Sequence, residues 1–113
     1  MGIMNHNAII ATTPFEKEIN KIKLWINSLP LKYSNLFLLS TPQINNETTI
    51  VMIPDGSKEG WAESNDTDIV RKEFISKLNE YWRFVEVGFG EYGQKILQGN
   101  NKNCYSDSEY AEE

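Results

Sequence analysis

The chain has 113 residues, of which 40% are hydrophobic, a size and composition typical of one domain with a single core. Its formal net charge is -5, from 11 Lys and Arg against 16 Asp and Glu, and the absence of a basic stripe argues against nucleic acid as a partner. No apolar stretch is long enough for a membrane span, and Cys104, the only cysteine, has no partner for an internal disulfide. We therefore expect a cytoplasmic protein.

The first predicted helix begins near Pro14 and ends at Pro30. Thr13 and Glu16 around Pro14 form the pattern of a capping box. Apolar residues then recur every three or four positions and form one stripe: Phe15, Ile19, Ile22, Ile26 and Leu29. The preceding residues 8–11 are a short apolar lead, and His6 is expected in a frayed N-terminus.

Two apolar runs, residues 36–41 and 47–53, follow the helix and are separated by a short loop that contains Pro42. This spacing predicts an antiparallel hairpin. Both runs are apolar on both faces, which favours a position inside a sheet with cover on its second face. A second subunit is one source of such cover.

A second helix is predicted to begin within residues 64–66, after an acidic segment suited to the positive end of the helix dipole. Its apolar stripe consists of Val70, Phe74, Leu78 and Tyr81. Residues 83–89 then alternate as a strand does, and a turn at residues 90–93 leads to a short edge strand over residues 94–97.

These elements predict an α+β fold in the order αββα followed by β or ββ. The sheet is expected to have three or four mainly antiparallel strands, with both amphipathic helices packed on one face. Residues 1–98 are predicted to form the single domain. Residues 99–113 are acidic and poor in large apolar side chains, so we expect a flexible tail there.

The loop between the hairpin and the second helix has the spacing of a calcium loop. Oxygen-bearing side chains and a glycine occupy positions 1, 3, 5, 6, 9 and 12 of an EF-hand-like pattern: Asp55, Ser57, Glu59, Gly60, Glu63 and Asp66. A strand precedes this loop where an EF-hand has a helix, and Asp66 is shorter than the usual bidentate Glu. The alternative interpretation is a Pro-Asp-Gly turn before an acidic helix start. No other cofactor is indicated.

The same loop also predicts a binding surface for a protein partner. Trp61 follows Gly60, and a large aromatic side chain in a loop either anchors a partner or folds back over its own sheet. With the charged neighbours of Trp61, the predicted partner-binding residues are Asp55, Lys58, Glu59, Trp61 and Glu63. If the acidic surface binds a basic protein by charge complementarity, binding should weaken with salt, and Trp61→Ala should cost more than removal of any rim charge.

Catalytic chemistry has little support in the sequence. His6 is the only histidine, so neither a Ser-His-Asp nor a Cys-His arrangement is available without the N-terminus. The spacing of Gly56 and Gly60 matches neither phosphate-binding fingerprint. Glu86 is interpreted as an outward-facing strand residue, because a nuclease-type site would also need a lysine on its strand. A small hydrolase that depends on carboxylates remains an alternative.

The segment from Ile53 to Trp61, IPDGSKEGW, and the later segment from Phe84 to Gly90, FVEVGFG, resemble a small uncharacterised family of bacterial and phage proteins. The resemblance covers about residues 36–97 and implies no activity, cofactor or catalytic residue. It implies only an accessory or mobile-element protein. The expected function is therefore a non-catalytic acidic interaction module, for which a homodimer is one expected arrangement. Calcium or small-ligand binding at the Asp55–Asp66 loop is the alternative.

Overall fold

The structure is a computed structural model that describes residues 5–57 and 61–100. Five strands form one sheet: β1 (Asn5–Thr13), β2 (Phe37–Leu39), β3 (Thr48–Met52), β4 (Arg83–Gly90) and β5 (Gly93–Gly99). Three α-helices accompany them: α1 (Glu16–Ser28), the single-turn α2 (Leu31–Ser34) and α3 (Ala62–Ser76). The α+β class, the antiparallel sheet and the packing of the two long helices on one face are confirmed.

The central strand of the sheet is β1, which the sequence analysis did not assign. The strand order is β2-β3-β1-β4-β5, and every pairing is antiparallel. β1 pairs with β3 on one side and with β4 on the other, so His6 lies in a strand opposite Phe89 and not in a frayed terminus. The sheet therefore has five strands where three or four were expected.

Both long helices cover the inner face of the sheet, over its β2, β3 and β1 half. The buried core joins residues from these strands to the apolar stripes of α1 and α3: Ile9, Ala11, Phe37, Ile50, Met52, Ile19, Ile22, Ile26, Val70 and Phe74. The ends of β4 and β5 that adjoin their connecting turn lie beyond the helices, and every residue of β5 is exposed. The half-covered inner face leaves a cleft beside α3.

The start of α1 differs from the predicted capping box. Thr13 ends β1, and its hydroxyl donates a hydrogen bond to the Tyr81 carbonyl at 2.7 Å while it accepts one from the Phe15 amide at 3.3 Å. Phe15 occupies the N-cap position, without a side-chain cap. Thr13 therefore ties the end of β1 to the segment before β4, a long-range role that local spacing does not reveal.

The middle of the outer face of the sheet is apolar and has no cover among the described residues. Side chains directly opposite each other in neighbouring strands form two rows: Leu38, Val51, Ile10 and Val85, and then Ala8, Val87 and Ile96. Ile96 is 73% exposed, and Ile10 is 40% exposed although it lies on the central strand.

None of the helices within residues 5–57 and 61–100 has both the length and the apolar composition that a membrane span needs.

Candidate functional site

The loop between β3 and α3 is fastened to the helix by Asp55. One carboxylate oxygen, Oδ1, accepts hydrogen bonds from the Ser57 amide at 2.9 Å and the Ser57 hydroxyl at 2.7 Å. The other oxygen, Oδ2, accepts a hydrogen bond from the hydroxyl of Thr67, which is buried in α3. Gly56, between them, has a φ of +83°, a conformation that glycine adopts without strain. Asp55 therefore fixes the turn and anchors the loop to α3.

The environment of Asp55 favours its charged form. Partial burial acts to raise the pKa of the Asp55 carboxyl, but hydrogen bonds from Thr67 and Ser57, together with the positive charge of Arg71, outweigh it. The net result is a pKa below the ordinary value for aspartate. Asp55 is thus held as an acceptor of internal hydrogen bonds.

Removal of this anchor should destabilise the protein. Asp55→Ala leaves the Ser57 amide and the Thr67 hydroxyl without their acceptor, so we expect the free energy of unfolding at neutral pH to fall by about 1–3 kcal/mol. Because the folded-state pKa of Asp55 is lowered, its contribution is fully present above the unfolded pKa and disappears as the pH falls through the folded value. Urea unfolding from neutral pH to below about pH 4 measures both effects.

Asp66→Ala is the matched control, since Asp66 is an exposed residue of α3. Its expected change is within about 0.5 kcal/mol. Equal losses of stability in the two variants, or an unchanged acid dependence in Asp55→Ala, would contradict the anchoring role.

A groove lies between α2, this loop and the start of α3, with a volume of about 470 Å³. We call it the Trp61 groove; its lining residues come from α2, the loop and the start of α3, and those used below are Lys32, Tyr33, Leu36, Asp55, Trp61, Glu63 and Asp66. Trp61 is 47% exposed, so it does not fold back into the core as a buried lid. Among the described residues, the groove thus combines aromatic and apolar side chains with three carboxylates and one lysine.

The structure brings most of the predicted loop residues to this groove. Asp55, Ser57, Trp61, Glu63 and Asp66 all line it, whereas Lys58 and Glu59 lie outside the described residues. Within residues 5–57 and 61–100, no group of three or more His, Cys, Asp or Glu side chains is placed to hold a metal ion. Both oxygens of Asp55 also accept internal hydrogen bonds. Calcium binding, which would use Glu59, stays a prediction.

Sequence reasoning did not find the α2 wall of the groove. Lys32 and Tyr33 lie more than twenty residues before Asp55 and reach the loop only through the tertiary fold. Thr67 was also missed, because a threonine inside a helix gives no local sign that it bonds a carboxylate twelve positions earlier. These contacts depend on the placement of α2 and α3.

The expected outward orientation of Glu86 is wrong. Glu86 is buried on the inner face of β4, where its carboxylate accepts hydrogen bonds from Gln98 Nε2 at 2.7 Å and Asn7 Nδ2 at 3.4 Å. Its strand neighbours Val85 and Val87 face outward instead. Glu86 therefore ties together β1, β4 and β5.

Comparison of the chain with models of protein families, with curated proteins and with solved structures found no match in any of the three. The resemblance to a bacterial and phage family stays a prediction, and the functional argument rests on the geometry of the chain.

Proposed function

We propose that this protein is a non-catalytic, cytoplasmic interaction module that binds a basic segment of a protein partner in the Trp61 groove. The observation that carries this proposal is the half-exposed Trp61 beside the carboxylates of Asp55, Glu63 and Asp66 in one groove. Tryptophan is one of the three side chains that are enriched among residues that dominate binding energy, with tyrosine and arginine. Carboxylates around it favour a partner that carries lysine or arginine.

Apolar area and charge have different roles in this groove. Tyr33 and Trp61 offer surface that an apolar or aromatic side chain of the partner would bury. Glu63 and Asp66 are exposed at the start of α3, so they act mainly on the rate of association and on its dependence on salt. Trp61 should therefore control affinity, and the acidic rim should control selectivity for a basic segment.

Selection from a random peptide library against the immobilised protein tests this proposal directly. We expect the enriched peptides to combine lysine or arginine with an aromatic or apolar residue. Trp61→Ala should weaken binding of an enriched peptide by about 2 kcal/mol or more, equivalent to roughly thirtyfold. Calorimetric titrations at low and high salt measure both the affinity and its electrostatic part.

Ile44→Ala is the matched control for Trp61→Ala, because Ile44 is an exposed apolar loop residue that does not line the groove. Glu63→Gln should weaken binding less than Trp61→Ala and should reduce its salt dependence. Enrichment of acidic peptides, or equal affinities for the Trp61→Ala and Ile44→Ala variants, would show that the groove is not the binding site.

We also propose that the protein associates with a second copy of itself through the outer face of the sheet. The specific observation is the two apolar rows on that face, which together span all five strands without cover among the described residues. Exposed apolar surface of this kind is typical of interaction sites, and one face that meets itself gives the two-fold arrangement common in homodimers. Light scattering over a range of protein concentrations measures this association.

A further inference from the structure

A second concave surface lies on the inner face of the sheet, on the other side of the loop from the Trp61 groove. This inner-face cleft has a volume of about 480 Å³. It lies between α3 and the ends of β4 and β5 that adjoin their connecting turn. Asp68 and Arg71 of α3 form one wall, Lys95 and Leu97 of β5 form the other, and Gly88 lies between them. The cleft exists because the helices cover only half of the sheet.

Arg71 is the unusual residue of this cleft. Its side chain is only 8% exposed, and Nη1 donates a hydrogen bond to Asp68 Oδ1. The Nε of the same guanidinium is buried and has no hydrogen-bond acceptor among the described residues. A buried donor without an acceptor destabilises the folded protein, and more so when the group is charged. Because Arg71 lines the cleft, its guanidinium offers a ligand oxygen at this wall a charged hydrogen-bond donor.

The other charges of the cleft restrict what that ligand can be. Arg71 and Lys95 are cations, and Asp55 and Asp68 are anions, so these four side chains balance. A multiply charged anion such as phosphate would be repelled by the carboxylates of Asp55 and Asp68. The oxygens of Asp55 already accept hydrogen bonds from Ser57 and Thr67, whereas the Asp68 side chain is 48% exposed and has room for a cation.

We propose that the inner-face cleft binds a small zwitterion with one carboxylate and one ammonium group, the chemical class of free amino acids. The ligand carboxylate is bound by Arg71 and Lys95, because guanidinium and ammonium groups form charge-assisted hydrogen bonds with carboxylate oxygens. The ligand ammonium is bound by Asp68, and Leu97 contacts its apolar part. The cleft volume falls within the range of small-molecule sites. This proposal does not rest on partner binding in the Trp61 groove, although Asp55 and Ser57 line both surfaces.

Thermal unfolding with a panel of free amino acids tests the proposal, since a ligand that binds only the folded state raises the unfolding midpoint. The panel includes acidic, basic, aliphatic and aromatic members. For each amino acid that raises the midpoint, its amide removes the carboxylate and its N-acetyl form removes the ammonium. We expect at least one free amino acid to raise the midpoint with increasing concentration and both blocked forms to have little effect.

Substitutions then locate the site. Lys95→Ala and Asp68→Asn each remove one charge from an accessible side chain, and each should weaken binding of the active amino acid by about tenfold. Lys72→Ala is the control, because Lys72 is exposed on α3 and does not line the cleft. Arg71→Lys, which retains the charge but loses Nε and the planar fork, should weaken binding as well.

Three results would overturn the proposal: no free amino acid raises the midpoint, the blocked forms raise it equally, or inorganic phosphate raises it more than any amino acid does. An unchanged affinity in both Lys95→Ala and Asp68→Asn would place the binding elsewhere. None of these results depends on peptide binding in the Trp61 groove, so each proposal can fail without the other.

Discussion

Phe74→Ala is expected to reduce the free energy of unfolding by about 3–5 kcal/mol. Phe74 is fully buried in α3, where its ring stacks with Trp25 of α1 at 5.9 Å and meets Phe37 of β2 edge-on at 5.0 Å between ring centroids. Truncation removes these contacts and leaves a cavity between both long helices and the sheet. Chemical denaturation, followed by tryptophan fluorescence and circular dichroism, measures the loss.

The expected loss is large beside the total of about 5–15 kcal/mol that stabilises an ordinary domain. Ile69→Ala is the matched control, because Ile69 lies on the same helix with a mostly exposed side chain, and its change should stay within about 0.5 kcal/mol. Similar losses in the two variants would contradict the burial of Phe74 between the two long helices and the sheet. A stable but loosened Phe74→Ala variant should also bind peptide more weakly. Thr67 lies on the same buried face of α3 and holds Asp55, and both residues line the Trp61 groove.

Local patterns predicted the two long helices, α1 and α3, and four of the strands, because each of these elements carries its own apolar periodicity. The stripe of α1 includes the buried residues Ile19, Ile22 and Ile26, and that of α3 includes Val70 and Phe74, as expected. The last two members of the predicted α3 stripe, Leu78 and Tyr81, lie beyond the end of the helix, and Tyr81 is exposed. β1 escaped prediction because only residues 8–11 form an apolar run, and its ends carry Asn and Thr. Its central place is set by pairing with residues 48–52 and 83–90, far along the chain.

The misplacement of Glu86 has a physical cause that applies to the whole sheet. In a one-sided sheet, apolar residues of a strand face the core, so Val85 and Val87 would be inside and Glu86 outside. Here the outer face is apolar as well, and the valines belong to it. Alternation in β4 therefore showed the two faces correctly but not which of them the helices cover.

The candidate sites could be predicted only as far as their residues are neighbours in sequence. Asp55, Trp61 and Glu63 were predicted from one loop, and all three line the Trp61 groove. Arg71 gave no signal, because a charged residue in an amphipathic helix normally faces solvent. Its burial follows from the position of α3 above the inner face, where Asp55 and Asp68 lie near it.

Ile10→Lys should convert the proposed dimer to a monomer. Ile10 lies on the central strand, opposite Val51 of β3 and Val85 of β4, in the middle of the outer apolar face. In a face-to-face dimer, a lysine at this position would be buried without a carboxylate partner, at a cost of several kcal/mol. In the monomer the same side chain points to solvent, so the fold should lose only about 1 kcal/mol.

Light scattering and sedimentation over a range of concentrations give the mass of each variant, and Leu24→Lys is the control. Leu24 is exposed on α1, on the helical side of the sheet, so the lysine there should leave the mass unchanged. A dimer formed by apolar burial should also persist at high salt, whereas peptide binding at the acidic Trp61 groove should weaken. A wild-type protein that remains monomeric at all concentrations, or a dimer that survives Ile10→Lys, would exclude self-association through this face.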